Sequence, residues 1–466
     1  MLLALDNLMA ARYQMALSLG FHIVLACFGV ALPALIYVLH RRGIEHDDHD
    51  ALVLAKKWAK VSAVLFAVGA VSGTILSFEM GLLWPGMMST YGDVIGLPFA
   101  LEGIAFFIEA VFIAIYLYGW GRLSPRVHLN TLIPIMISGA FGTFCIISVN
   151  AWMNAPAGFD IDADGEVINV RPLEAMFNSA VVGQSVHMFV AAYVVTGFLV
   201  AAVYAIGLLK GRDDRRHRLG FAVAMAFAGV AAVIQPFVGH LTGERLAEEQ
   251  PSKLAAIELA TETESRAPLL IGGILIDGEV RFAIEIPALG SIVATNSLDG
   301  EVPGLDELPP DEQPPANVVH LAFQTMVGAG TVMAGVAVWY WWRRRRHEDP
   351  LSPWLLRATV ACGGLAVIAL QAGWVTTEVG RQPWIVYRVM RVDEAVTTNS
   401  GIWISLAVVI VVYSSMAVLA TRVIRGMTRR WRESDEIDIA TPYGPSEALA
   451  PAAVGSTASA TDDEGT

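Results

Sequence analysis

The sequence predicts an all-α membrane protein with nine transmembrane helices, and three observations carry that reading. Apolar residues fill 55% of the 466 positions and charged residues only 16%, against roughly 25% charged in a soluble chain. The mean hydropathy is +0.54. Nine stretches are long and apolar enough to cross a bilayer, which takes about 20 residues of helix: 15–39, 58–83, 96–119, 130–153, 180–209, 219–240, 318–342, 354–377 and 401–424.

The first stretch is longer than a cleaved leader and lacks a small-residue cleavage site, so it reads as a retained helix. Basic residues then set the orientation. Arg41, Arg42, Lys56 and Lys57 follow the first span, Arg122 and Arg126 the third, and Lys210, Arg212, Arg215, Arg216 and Arg218 the fifth. Arg343–Arg346 follow the seventh span, and Arg422, Arg425, Arg429 and Arg430 the ninth. The expected N-terminus is therefore outside and the C-terminus cytoplasmic. The net charge of −13 sits largely in an outer loop and the tail. Nothing in this pattern calls for nucleic acid; the expected surroundings are membrane lipid. The three cysteines lack metal-ligand spacing and read as packing residues.

Four segments result: spans one to six (1–240), an outer-face loop (241–317), spans seven to nine (318–433) and an acidic tail (434–466) read as disordered. Within the loop, ILIDGEVRFAIEI alternates as a hairpin would, whereas PPDEQPP reads as flexible. No internal repeat is present.

Inside the spans stand groups able to hold iron: His22, His187, Met326 and Glu378. Ligand-capable side chains in hydrocarbon are costly and usually have a partner or a task. An imidazole–thioether pair suits electron-transfer haem, while a single imidazole or carboxylate leaves an iron position open. Counted from the span ends, these four and Glu102 all fall in about the outer third of the bilayer, as a cofactor layer would require. Each also has a structural reading: the histidines as interhelical hydrogen bonders, Met326 as packing, Glu378 as a partner of Arg381 one turn on. Glu102 and Glu109 are seven residues apart on one helix face, about 10 Å apart in depth. Such a pair suggests a proton route. His40, His46, His49, His128, His217 and His347 read as solvated, and His240 and His320 as loop-flanking surface.

Several motifs carry a resemblance: RYQMALSLGFHI (12–23), LPFALEGIAFFIEAVF (97–112), VGQSVHMFVAAYVVTGF (182–198), PSKLAAIE (251–258) and GWVTTEVGRQPW (373–384). Together they resemble subunit I of cytochrome bd-type quinol oxidases over nearly the whole chain, with GRQPW and KLAAIE the specific elements. The resemblance implies that His187 and Met326 are axial ligands of a low-spin haem b. It implies that His22 and Glu378 hold the two high-spin haems, a haem b and either haem d or a further haem b. Glu102, Arg381 and Trp374 would lie near that pair, Lys253 and Glu258 at the quinol site, and Glu102 and Glu109 on the proton path. Quinol would be oxidised near the outer face and O2 reduced to water with cytoplasmic protons, in a prokaryotic plasma membrane. The implied partners are a second hydrophobic subunit and, in some assemblies, a small single-helix subunit.

Two departures stand out. Many members carry arginine two residues before the methionine ligand, where this chain has Gln324, and the outer loop is short, as in the subgroup that includes cyanide-insensitive members. The competing readings are a proton-coupled secondary transporter, which calls for broken helices and a repeat, and a haem relay without O2 reduction.

Overall fold

The computed structural model describes residues 7–433; the acidic tail expected at 434–466 lies outside the described residues. The elements run α1 (Asn7–Glu45), α2 (His49–Leu83), α3 (Pro85–Tyr118), α4 (Pro125–Asn130), α5 (Leu132–Asn154), β1 (Asp160–Ile161), β2 (Val167–Ile168), α6 (Pro172–Met176), α7 (Val181–Leu209) and α8 (Arg215–Glu249). They continue with α9 (Pro251–Glu258), β3 (Glu264–Ser265), β4 (Leu269–Ile276), β5 (Glu279–Ile286), α10 (Leu289–Thr295) and β6 (Glu301–Val302). The chain then forms α11 (Ala316–Arg346), α12 (Pro353–Val379), β7 (Trp384–Val386), β8 (Met390–Arg391), α13 (Val392–Ala395) and α14 (Ile402–Glu433).

Nine helices among the described residues are long and apolar enough to span a membrane, α4 and α5 forming one span together. Each matches one predicted stretch. Several run further than their apolar core, because polar end turns are satisfied locally. Asp48 caps α2 by accepting from the Ala51 N–H, Asp214 caps α8 through His217, and Ser352 caps α12 through Leu355. A capped end satisfies backbone groups that would otherwise be orphaned.

The helices α7, α8, α11 and α12 form a four-membered bundle in which α7 and α11 each pack on α8 and α12. Its core holds Phe198, Phe221, Met225, Met333, Cys362 and Ala366. The helices α1, α2, α3 and α5 close a second cluster around Leu35, Ile36, Leu39, Trp58 and Tyr116. A bond from Thr196 Oγ1 to the Cys27 carbonyl (2.8 Å) stitches α7 to α1. The cysteines are buried and free.

At one end, here the loop end, residues 250–315 fold over the helices. The alternating stretch is a hairpin, β4 pairing with β5 in register Ile276↔Glu279. Its Asp277-Gly278 turn has both φ values positive, +51° and +82°, the geometry that favours glycine there. The proline-rich run is anchored: Gln313 Nε2 donates to the Leu305 and Leu308 carbonyls, and Arg391 pairs with Asp311.

At the opposite, basic end, the Asp48 carboxylate is buried beneath Arg42 (2.7 Å) and Arg215 (2.6 Å). Arg215 foremost, with Arg42, holds its carboxyl well below the usual carboxylate range. The stabilisation is therefore present above the unfolded value of about 4 and lost as pH falls below it. Asp48→Ala removes both the cap and the ion pairs and is expected to cost about 2 kcal/mol or more, read as a lowered melting temperature of the purified protein. An unchanged melting temperature would remove Asp48 from the account.

Two sequence expectations are overturned here. His40 and His128 are only 2% and 3% exposed, packed with Tyr116 and Trp120. His320 is fully buried under the loop. His40 and His128 stand close to basic residues, but aromatic packing removes them from solvent, and the folded loop removes His320.

Candidate functional site

Hydrogen bonds and close glycine contacts between helices give the depth of the candidate residues. Gln371 of α12 donates to the Gly20 carbonyl of α1 (2.7 Å), so these two are level. Glu378 lies seven residues nearer the loop end and His22 two residues further from it, a separation of about 13 Å by helical rise. The Thr196–Cys27 bond places His187, nine residues toward the loop end, level with Ser18 of α1. Met326 Sδ lies against Gly373, two residues above Gln371, which is the same level. His187 and Met326 thus face one layer of the α7–α8–α11–α12 bundle from its two opposite helices.

The layer expected from the sequence is therefore staggered. His187 and Met326 share one level. His22 and Glu102 share a deeper one, since Gly29 and Glu109, each seven residues further on, are neighbours. Glu378 stands nearest the loop end. Five residues named for one layer occupy three.

The local chemistry of each group is specific. Ser72 Oγ donates to the Gly69 carbonyl (3.0 Å), so its bond to His22 Nδ1 (2.9 Å) requires the imidazole to donate. That tautomer leaves the Nε2 lone pair free, the state a metal-ligating histidine needs. A side chain at Gly73 would stand 2.9 Å from His22 Cε1, so only glycine leaves the ring its place. Around His187, Gln235 Nε2 donates to the backbone carbonyl (3.2 Å), while the ring Nδ1 is buried without a partner. A Cβ at Gly373 would meet Met326 Sδ at 2.9 Å, so the thioether lies in the gap that this glycine leaves.

Glu378 accepts from Asn150 Nδ2 (2.5 Å) and from Arg381 Nη2 (2.7 Å). Arg381 is 3% exposed, and its Nε and Nη1 are buried with no protein acceptor. A buried guanidinium with idle donors is expensive, and an anionic group beside it would satisfy them. Trp374, one turn before Glu378, packs at the edge of the bundle core. Lys253 adjoins this end: its Nζ donates to Asn154 Oδ1 (2.7 Å), and its side chain lies over Gly380. Burial first, then the Arg381 charge, pushes Lys253 down to about 7. Burial pushes Glu258, at the other end of α9, up to about 7.

Glu109 is 8% exposed, in a space left by Gly29 of α1 and Gly139 of α5. Glu102 lies two turns nearer the loop end, against Gly142.

Sequence reasoning missed Asn150, Asn154 and Gln371, amides with no charge or period to mark them. It also missed Glu79, a 2%-exposed carboxylate of α2 that accepts from Gln14 (2.9 Å) and Ser18 (2.8 Å). Its signal was present: a lone acid inside an apolar span.

Residues 10–431 match the family model for cytochrome bd terminal oxidase subunit I. The chain belongs to that family. It is 34% identical over 450 residues to a putative cytochrome bd menaquinol oxidase subunit I of Bacillus subtilis, covering 94% of this chain and all of that one. It is 26% identical over 487 residues to the cytochrome bd-II ubiquinol oxidase subunit 1 of Escherichia coli, covering 88% and 94%. The bd oxidase structure from Geobacillus thermodenitrificans superposes with a TM-score of 0.87 at 38% identity, covering 91% of this chain and 99% of that one. As a subunit I, the chain is part of a terminal quinol oxidase, a quinol:oxygen oxidoreductase of the prokaryotic plasma membrane. Oxidases of this family are haem proteins that work with a second subunit.

Proposed function

We propose that this subunit takes electrons from quinol at the loop end and reduces O2 within the bundle, using protons drawn from the basic end. The orientation follows the basic residues: N-terminus and loop outside, C-terminus cytoplasmic. The observation that carries the reading is the level pairing of His187 with Met326 from opposite helices of one bundle, Met326 in the gap left by Gly373 and His187 with an unpartnered ring nitrogen.

His187 and Met326 would hold a low-spin haem b, closed to other ligands. His22, with Nε2 free, and Glu378 would hold the high-spin haems, a haem b and either haem d or a further haem b. Bound there, the haems would supply electron transfer and oxygen-reducing redox chemistry. The two idle donors of Arg381 suit an anionic haem edge, which would repay the cost of burying the guanidinium. Trp374, one turn before Glu378, would stand near the high-spin pair.

The protein's own residues supply binding and proton movement. Lys253 and Glu258, buried on α9 in the short loop, bind the quinol headgroup. Near neutral pH each sits close to its titration point and is suited to accept a quinol proton. Glu109 and then Glu102 bring protons inward along one face of α3. A second hydrophobic subunit covers the apolar helix faces, with a small single-helix subunit as a further partner.

Glu258 supplies a test. Below about 7 it is protonated and cannot accept a proton, so kcat/KM for quinol rises as pH rises through that value. Glu258→Gln is expected to flatten this limb and lower the plateau by roughly 10²-fold, measured as quinol-dependent oxygen uptake from pH 5 to 9. A variant that keeps the full limb rules out Glu258 as the acceptor.

A further inference from the structure

His320 stands near the start of α11, and both its ring nitrogens face backbone carbonyls. Nδ1 is 2.6 Å from the Ile257 oxygen of α9, and Nε2 is 2.9 Å from the Gly272 oxygen of β4. A carbonyl can only accept, so each nitrogen must donate. A neutral imidazole has one N–H and would set its bare lone pair against an oxygen at hydrogen-bond distance. Only the imidazolium satisfies both contacts. The ring is fully buried, where a mismatched lone pair is costly.

The same helix face repeats the grip. Asn317 Oδ1 accepts from the Leu275 N–H (2.7 Å) and its Nδ2 donates to the Leu275 carbonyl (2.9 Å). Gln324 Nε2 donates to the Leu270 carbonyl (2.8 Å). Positions 317, 320 and 324 share one face of α11, and together they bind β4 at Leu275, Gly272 and Leu270. Gln324 thus spends its amide on the loop, at the position where the family resemblance places an arginine.

We infer that His320 donates from both ring nitrogens and acts with Asn317 and Gln324 as a latch, docking the β4–β5 hairpin and α9 onto the Met326 helix. It is a positioning residue. Its effect on quinol rests on the proposed reading of α9, whereas the latch itself does not.

Hydrogen exchange of the 269–276 amides is measured in the intact oxidase complex at neutral pH. Wild type is expected to be protected. His320→Gln cannot place a donor against both carbonyls, and its exchange should be at least about tenfold faster. Asn317→Ala should also speed exchange and serves if His320→Gln fails to assemble. Protection that is unchanged in His320→Gln overturns the proposal. The same variant should raise the quinol KM severalfold with kcat and the low-spin haem spectrum near wild type. Faster exchange with an unchanged KM supports the latch and overturns instead the assignment of α9 to quinol.

Discussion

His187→Leu is expected to eliminate the low-spin haem signal and reduce quinol oxidation to background, while the high-spin signals persist. Leucine keeps apolar volume but has no donor atom for iron. The neighbours of His187 give a structural role little to act on: the ring Nδ1 has no protein partner, and Gln235 binds only the backbone carbonyl, which leucine retains. A purely structural histidine would therefore be lost with a modest effect. Met326→Leu should behave in the same way, since Gly373 has cleared space for the sulfur and leucine fills it without ligating. A variant of either residue that retains the full low-spin signal would falsify that pairing.

Glu109→Gln is expected to slow turnover by roughly 10²-fold with haem content near normal. Glutamine is nearly isosteric and fits the space between Gly29 and Gly139, so folding and haem uptake have no cause to fail. What it cannot do is exchange a proton. A carboxylate serving only as an interhelical hydrogen bonder would tolerate the change, because an amide also donates and accepts. Oxygen uptake and pigment content measured on the same preparation separate these cases. Normal turnover in Glu109→Gln removes α3 from the proton route.

The membrane architecture was legible because its cause is local: each span must bury about 20 apolar residues, and each of the nine stretches did so. The hairpin was legible for the same reason, from alternation around Asp277-Gly278. Helix ends extended past the prediction where caps such as Asp48 carry the chain beyond its apolar segment. The iron-capable residues were visible as costly groups in apolar runs, yet their levels were not. Counting from span ends cannot see that Glu378 stands about 13 Å above His22; that depends on which residues of neighbouring helices bond, as Gln371 does to Gly20. His40, His128 and His320 were misjudged because burial of a lone histidine is decided by what folds over it. Asn150 and Asn154, which support Glu378 and Lys253, are short amides whose partners lie far away in sequence.

The central claim, a closed haem on His187 and Met326 beside an open oxygen-reducing site, is tested most directly by reduced-minus-oxidised spectra of the purified complex. These are recorded with and without CO, on wild type and His187→Leu. The account predicts a low-spin signal and a separate CO-reactive species in wild type, with only the CO-reactive species surviving in the variant. Absence of any haem signal, or haem without a CO-reactive species, would contradict it.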